Sequence, residues 1–190
     1  MAELDWPALP LDAPTYAGLH TLVTDVVALG GAVGWLTVPD RAETRGWVDG
    51  LLAGGARLVL ARGDDGEVLA CGSWRRLDAA VMRQNAEVNK VMVLPAARGR
   101  GLARRVVTAL LADADADGVE VLTLGARGNN HAAVALYASL GFVVTGRLPD
   151  YIAVGEERFD EVLMHLDLRP RRGADALVRH GSRREGPGRT

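Results

Sequence analysis

The stretch best suited to chemistry runs Val91-Met92-Val93-Leu-Pro-Ala-Ala-Arg98-Gly99-Arg100-Gly101-Leu102-Ala103. It reads as a strand, a glycine- and arginine-rich turn, and the start of a helix. The first turn of a helix leaves backbone N–H groups without partners, and their dipoles favour an anion. Gly99 and Gly101 let a ligand approach the backbone with no Cβ in the way. Arg98 and Arg100 add charge suited to phosphate. Two other phosphate loops are excluded. A Walker A loop needs Gly-Lys followed by Ser or Thr, and a dinucleotide fingerprint starting at Gly99 would need glycine where Arg104 stands. The plain alternative is a tight turn before a helix. On the strand leading into this loop, alternation puts Glu87, Asn89, Val91 and Val93 on one face, with a carboxylate close to the candidate phosphate site. Lys90 points away from that face and suits a structural role.

The elements that must position these residues follow from periodicity. Residues 14–29 read as an amphipathic helix on Leu19, Leu22, Val23, Val26 and Val27, ended by Gly30-Gly31. A second helix runs from Asp40 to Leu52, opened by Asp40 with Glu43 three residues on. Strands are expected at 57–61 and 67–74, joined by Gly63-Asp-Asp-Gly66, and at 86–94, stopped by Pro95. A helix follows over 101–117, with Ala103, Val106, Val107, Leu110, Leu111 and Ala114 on one side and Gly118 as its cap. A short strand at 119–124, a helix at 130–140 capped by Gly141, and strands at 142–148 and 159–168 complete the pattern. Mixed helices and strands give the α/β class, or α+β with a mostly antiparallel sheet.

The totals bound the possibilities. A chain of 190 residues, 48% hydrophobic and 5% aromatic, suits one domain with a core of Val, Leu and Ala. It is expected to span residues 1–168, with 169–190 a flexible Arg-rich tail. That tail holds seven arginines against Asp175 and Glu185, so the first 168 residues carry a net charge of −7. An acidic body argues against broad nucleic-acid binding and suits a cationic substrate. One cysteine, Cys71, allows no internal disulfide and no cysteine metal cluster. It suits a buried strand position. No leader-type start and no apolar run of about 20 residues is visible. A cytoplasmic protein is expected, with no membrane partner and no metal. Arginine almost replaces lysine, Lys90 being the one lysine, which points to a GC-rich bacterial coding sequence.

Two motifs carry a resemblance. Arg98-Gly-Arg-Gly101-Leu-Ala103 matches Arg/Gln-x-x-Gly-x-Gly/Ala, the acyl-CoA pyrophosphate loop of the GNAT family of N-acetyltransferases. Asn130-His-Ala-Ala133-Val-Ala-Leu136-Tyr137-Ala-Ser-Leu-Gly141-Phe142 resembles that family's Asn-x-x-Ala-x-x-Leu-Tyr…Gly-Phe segment. The resemblance covers about residues 15 to 168. Three stretches narrow it: Gly30–Trp35, Ala86–Gly101 and Gly146–Tyr151 look like those of tabtoxin-resistance acetyltransferases, which acetylate a small amino-acid-like toxin. The resemblance implies a mostly antiparallel sheet flanked by helices and splayed between two central strands, those before the Arg98 loop and before Asn130. It implies acetyl-CoA as co-substrate, held by Val91, Met92 and Val93 along pantetheine, by Arg98, Gly99, Arg100, Gly101, Leu102 and Ala103 at the pyrophosphate, and by Asn130.

Amine acylation needs a neutral amine, a polarised thioester and a proton for the departing thiolate. The family uses direct attack, so no nucleophilic side chain is required. Tyr137, two helical turns after Asn130, is the candidate acid, and Glu87 the candidate base. Related enzymes also carry an aspartate ending the Leu-x-Leu strand. Here that place is Gly125, which puts a two-carboxylate arrangement in doubt. His131 reads as a first-turn helix residue, and His165 receives no role. The expected partner is a small-molecule amine, and the chain is expected to be a monomer or homodimer. The alternative is a non-catalytic acyl-CoA-binding sensor or partner module of the same fold.

Overall fold

The structure is a computed structural model that describes residues 2–31 and 33–169. After the short strand β1 (Glu3–Asp5) come two helices, α1 (Ala13–Ala28) and α2 (Arg41–Ala53). Each starts on an aspartate whose side chain accepts an orphan amide. Asp12 takes Thr15 N at 2.9 Å, and Asp40 takes Glu43 N at 2.8 Å. Glu43 returns a carboxylate to Asp40 N, which completes the capping box expected there.

The sheet follows with β2 (Arg57–Arg62), β3 (Val68–Arg76) and β4 (Asn85–Val93). Helix α3 (Leu102–Ala116) precedes β5 (Val121–Arg127), and α4 (His131–Ser139) precedes β6 (Val143–Val154) and β7 (Glu157–Asp167). The strand order is β1-β2-β3-β4-β5-β7-β6. Every neighbouring pair is antiparallel except β4 with β5. The expected elements are all present within a few residues, except that β6 runs six residues past the expected end. The three-residue β1 was not foreseen: three residues carry no readable period. The segment from 170 onward, which includes nearly all of the expected flexible tail, lies outside the described residues.

The two faces of the sheet receive different helices. On one, Arg62 of β2 donates to Thr15 of α1 at 2.8 Å. On the other, Arg57 of β2 and Trp74 of β3 converge on Asp113 of α3, with Arg57 Nη2 at 2.7 Å and the indole Nε1 at 2.9 Å. The Arg57 bonds, with help from Trp74, hold the Asp113 carboxyl below its usual range. Val106, Val107, Leu110 and Ala114 of α3 are fully buried against the sheet. Burial of this size, at roughly 25 cal/mol per Å² of apolar surface, is what docks an otherwise marginal helix.

That docking is close enough to dictate a glycine. A Cβ at Gly72 of β3 would lie 2.7 Å from Val106 Cγ1 and 3.0 Å from Leu110 Cδ1. Gly72→Ala should therefore lower stability by about 1–3 kcal/mol, the usual cost of overpacking. The urea midpoint should fall while the slope stays constant. An unchanged midpoint would mean that α3 sits further from β3 than described.

Candidate active site

The site is made by two strands that part. β4 and β5 pair only at Asn85–Val121, Ala86–Leu122 and Glu87–Thr123. Thr123 Oγ1 donates to Ala86 O at 3.3 Å at this last shared point. Beyond it β4 runs on to Val93 and β5 to Arg127 without pairing to each other. The splay falls between the two strands expected to show it. The β5-side edge of residues 88–93 therefore offers unpaired amides and carbonyls to anything lying in the gap.

A bulge reorients β4 inside this gap. Ser73 faces Asn89 and Cys71 faces Met92, so Gly72 stands opposite two residues, Lys90 and Val91. Lys90 takes a positive φ of 55° to absorb the extra residue. This corrects the expected alternation. Glu87 and Asn89 share the α1/α2 face with Arg75 and Ser73. Val91 and Val93 fall on the α3 face, and Val91 packs beside the space over Gly72. Met92 returns to the α1/α2 side and is 2% exposed.

Lys90 also departs from expectation. Its ammonium reaches the α1/α2 side, where it donates to Val33 O at 2.5 Å and lies 4.1 Å over the Trp35 ring. Burial lowers its pKa. From the facing strand, Arg127 donates to Gly30 O at 2.8 Å and stacks 4.8 Å over Phe159. The loop between α1 and α2 is thus tied to both strands across the opening. Trp35 meets Trp47 of α2 edge-on at 5.1 Å, which ties the loop to that helix as well.

At the far end of β4, a 3₁₀ turn (Pro95–Ala97) leads to the loop. Gly99 and Gly101 both adopt positive φ, 77° and 74°, and a Cβ on either would meet nothing within 4 Å. Gly101 is the N-cap of α3 and gives no side-chain cap. Among the described residues, no acceptor receives the amides of Gly99 to Arg104, while Arg105 N begins the helical pattern on Gly101 O. A run of free amides at the dipole's positive end, with open space and exposed Arg98 and Arg100 beside it, fits a pyrophosphate. Leu102 is buried and anchors the turn, and Ala103 is half-buried.

Asn130 caps α4, its Oδ1 accepting Ala133 N at 3.2 Å. Its backbone is non-helical, so α4 proper begins at His131. Helix α4 lies beside α3, where Arg104 Nη2 donates to Ser139 Oγ at 2.6 Å. Tyr137 is 9% exposed and packs edge-on to Phe142 at 5.8 Å. Burial pushes its phenol up to about 12, so it keeps its proton throughout the physiological range. Cys71 is fully buried and its thiol is likewise pushed up to about 12 by burial, which suits packing and not reactivity. His131 opens α4 and is exposed, as expected. Among the described residues no group of three or more His, Cys, Asp or Glu could hold a metal ion, and no helix is long and apolar enough to cross a membrane.

Gly101 gives the most direct check of the loop. Gly101→Val adds a branched side chain at φ 74°, a conformation such residues avoid, and fills the space over the free amides. Acetyl-CoA affinity by calorimetry should drop more than tenfold. Unchanged affinity would place the pyrophosphate elsewhere.

Comparison with known proteins agrees with this geometry. The family model for the acetyltransferase (GNAT) family matches residues 21–142. An L-methionine sulfoximine/L-methionine sulfone acetyltransferase of Pseudomonas aeruginosa is 29% identical over 160 residues, 83% of this chain and 91% of that protein. An L-amino acid N-acyltransferase of Escherichia coli is 34% identical over 106 residues, 56% of this chain and 60% of that one. A phosphinothricin acetyltransferase from Sinorhizobium meliloti, solved with acetyl-CoA, shares the fold with a TM-score of 0.74 at 21% identity, over 90% of this chain and 94% of that one. The chain belongs to the acetyltransferase (GNAT) family and is an N-acetyltransferase that takes its acetyl group from acetyl-CoA.

Proposed function

We propose that this enzyme acetylates the free amino group of a small amino-acid-like molecule, in one catalytic domain spanning residues 1–168. The observation that carries the reading is the gap between β4 and β5, open to opposite sides of the sheet. Glu87 stands on the α1/α2 side, and α4 with Tyr137 packs beside α3, on the other. Acetyl-CoA supplies the activated acyl group as a thioester. The free amides of 99–104 hold its pyrophosphate, and the unpaired edge of β4 around Val91–Val93 receives the pantetheine. Asn130 keeps the start of α4 in place beside it. An amine arriving from the α1/α2 side as an ammonium loses its proton to Glu87, directly or through water. Tyr137, held neutral by burial, gives a proton to the departing sulfur.

The amino-acid class of acceptor draws support from the relatives. L-methionine sulfoximine and L-methionine sulfone each carry a free α-amino group, and another relative is named for L-amino acids. The net charge of −7 over residues 1–168 favours the approach of a cation. Inactivation of an amino-group toxin or antibiotic is the role this chemistry serves. We place the enzyme in the cytoplasm, as a monomer or homodimer, without a metal, a nucleic-acid partner or a membrane partner.

Thiol release from acetyl-CoA, measured with amino acids, polyamines and amino-group antibiotics, tests the proposal. Amino acids or their analogues should give the highest kcat/KM. Turnover confined to polyamines would refute the acceptor class, and no turnover with any amine would favour an acyl-CoA-binding module. With the best acceptor, Tyr137→Phe should keep acetyl-CoA affinity and lose about 10²-fold in turnover. Glu87→Gln should be slow at neutral pH and recover partly at high pH, where more amine is already neutral. Profiles that overlay the wild type would remove these two residues from proton transfer.

A further inference from the structure

Gly125 carries no side chain, yet its position is not empty. Glu161 of β7 stands opposite Arg127 and leans diagonally along β5 onto Gly125. A Cβ at Gly125 would lie 2.9 Å from the Glu161 carboxyl carbon and closer still to its Oε1. The glycine is therefore what admits the carboxylate. A neighbouring strand delivers an acidic group to a place where β5 itself has none.

Register fixes the side on which this group stands. Gly125 shares its face of β5 with Thr123, and Thr123 is the partner of Glu87 in β4. Both glutamates are thus on the α1/α2 side. Gly125 lies two residues past the last β4–β5 pair, where the opening has begun. With strands about 4.8 Å apart and 3.3 Å per residue, the Cα atoms of Glu87 and Gly125 are roughly 8 Å apart before the splay widens them. Two carboxylates over that span leave room for one ammonium group between them.

Among the described residues no cation pairs with Glu161. Arg127, directly opposite, spends its guanidinium on Asn129 and on Gly30 O. Arg147 pairs with Asp160. Among the described residues the Glu161 carboxylate makes no hydrogen bond or ion pair, although the residue is half-buried. A half-buried carboxylate at the mouth of a reaction site, with no ion-pair partner among the described residues, is matched by a cationic substrate.

We propose that Glu161 is the second carboxylate of the acceptor site, binding the incoming ammonium group beside Glu87 before the proton is lost. The proposal rests on an amine entering from the α1/α2 side, as in the function proposed above, but not on that amine being an amino acid.

The experiment uses the full chain, saturating acetyl-CoA and whichever amine the wild type turns over best. Glu161→Gln should raise the KM for the amine at least tenfold, with acetyl-CoA affinity by calorimetry within twofold of wild type. Gly125→Ala, which displaces the carboxylate without removing it, should do the same. Glu161→Ala combined with Gly125→Asp returns an acid to the site from β5 and should be at least tenfold more active than Glu161→Ala alone. Calorimetry of the amine with CoA-loaded protein gives the same comparison where turnover is too slow to read. An unchanged amine KM and affinity in Glu161→Gln would overturn the proposal. So would a parallel loss of acetyl-CoA affinity, which would make the residue structural, or a double variant no better than Glu161→Ala. A wild type that prefers polyamines would refute the amino-acid reading and leave the test of Glu161 intact.

Discussion

A strand in the middle of a sheet has two edges, and its backbone amides and carbonyls need partners along both. β4 satisfies one edge through β3 and loses the other after Glu87, where β5 turns away. Inside a sheet such an unpaired edge is costly unless water or a ligand completes it. Several other features of the structure gather at that interruption. The bulge at Lys90 shifts the register of the free segment. The α1–α2 loop is tied across the opening by Lys90 and Arg127. The glycine loop sits at the end of the same strand, where α3 begins.

In the proposed reaction the interruption also separates the two proton-transfer tasks. Here α1 and α2 cover one side, and α3 with α4 covers the other. Glu87 belongs to the first side, and Tyr137 comes from the helix that packs with the second. Burial keeps Tyr137 protonated, while the partly open α1/α2 side keeps its carboxylates within reach of a soluble amine.

Much of this was legible in the amino-acid order because the signals are local. The capping box at Asp40, the apolar stripe of α3 and the Arg98–Ala103 loop each occupy a few consecutive residues, and the structure reproduces them closely. The bulge was not legible. It is set by how β4 pairs with β3, and Lys90 at φ 55° carries no mark of it, being neither glycine nor asparagine. The side of the sheet reached by Lys90 and the split of Val91 and Val93 from Glu87 were therefore misread. Glu161 was missed for the same kind of reason. Gly125 announced a missing acid, but only the β5–β7 register shows which residue of another strand fills the space. Asn130 was read as the first helical residue, and it is the N-cap of α4, its side chain accepting Ala133 N.

The central claim is that acetyl-CoA completes the edge which β5 abandons. Amide hydrogen exchange, with and without acetyl-CoA, measures this residue by residue. Amides in the β5-facing half of residues 88–93, and those of Gly99 to Arg104, should gain protection when acetyl-CoA binds. The three paired residues Asn85 to Glu87 should change little. Protection that appears elsewhere, with 88–93 and 99–104 exchanging as fast as in the free protein, would contradict the account.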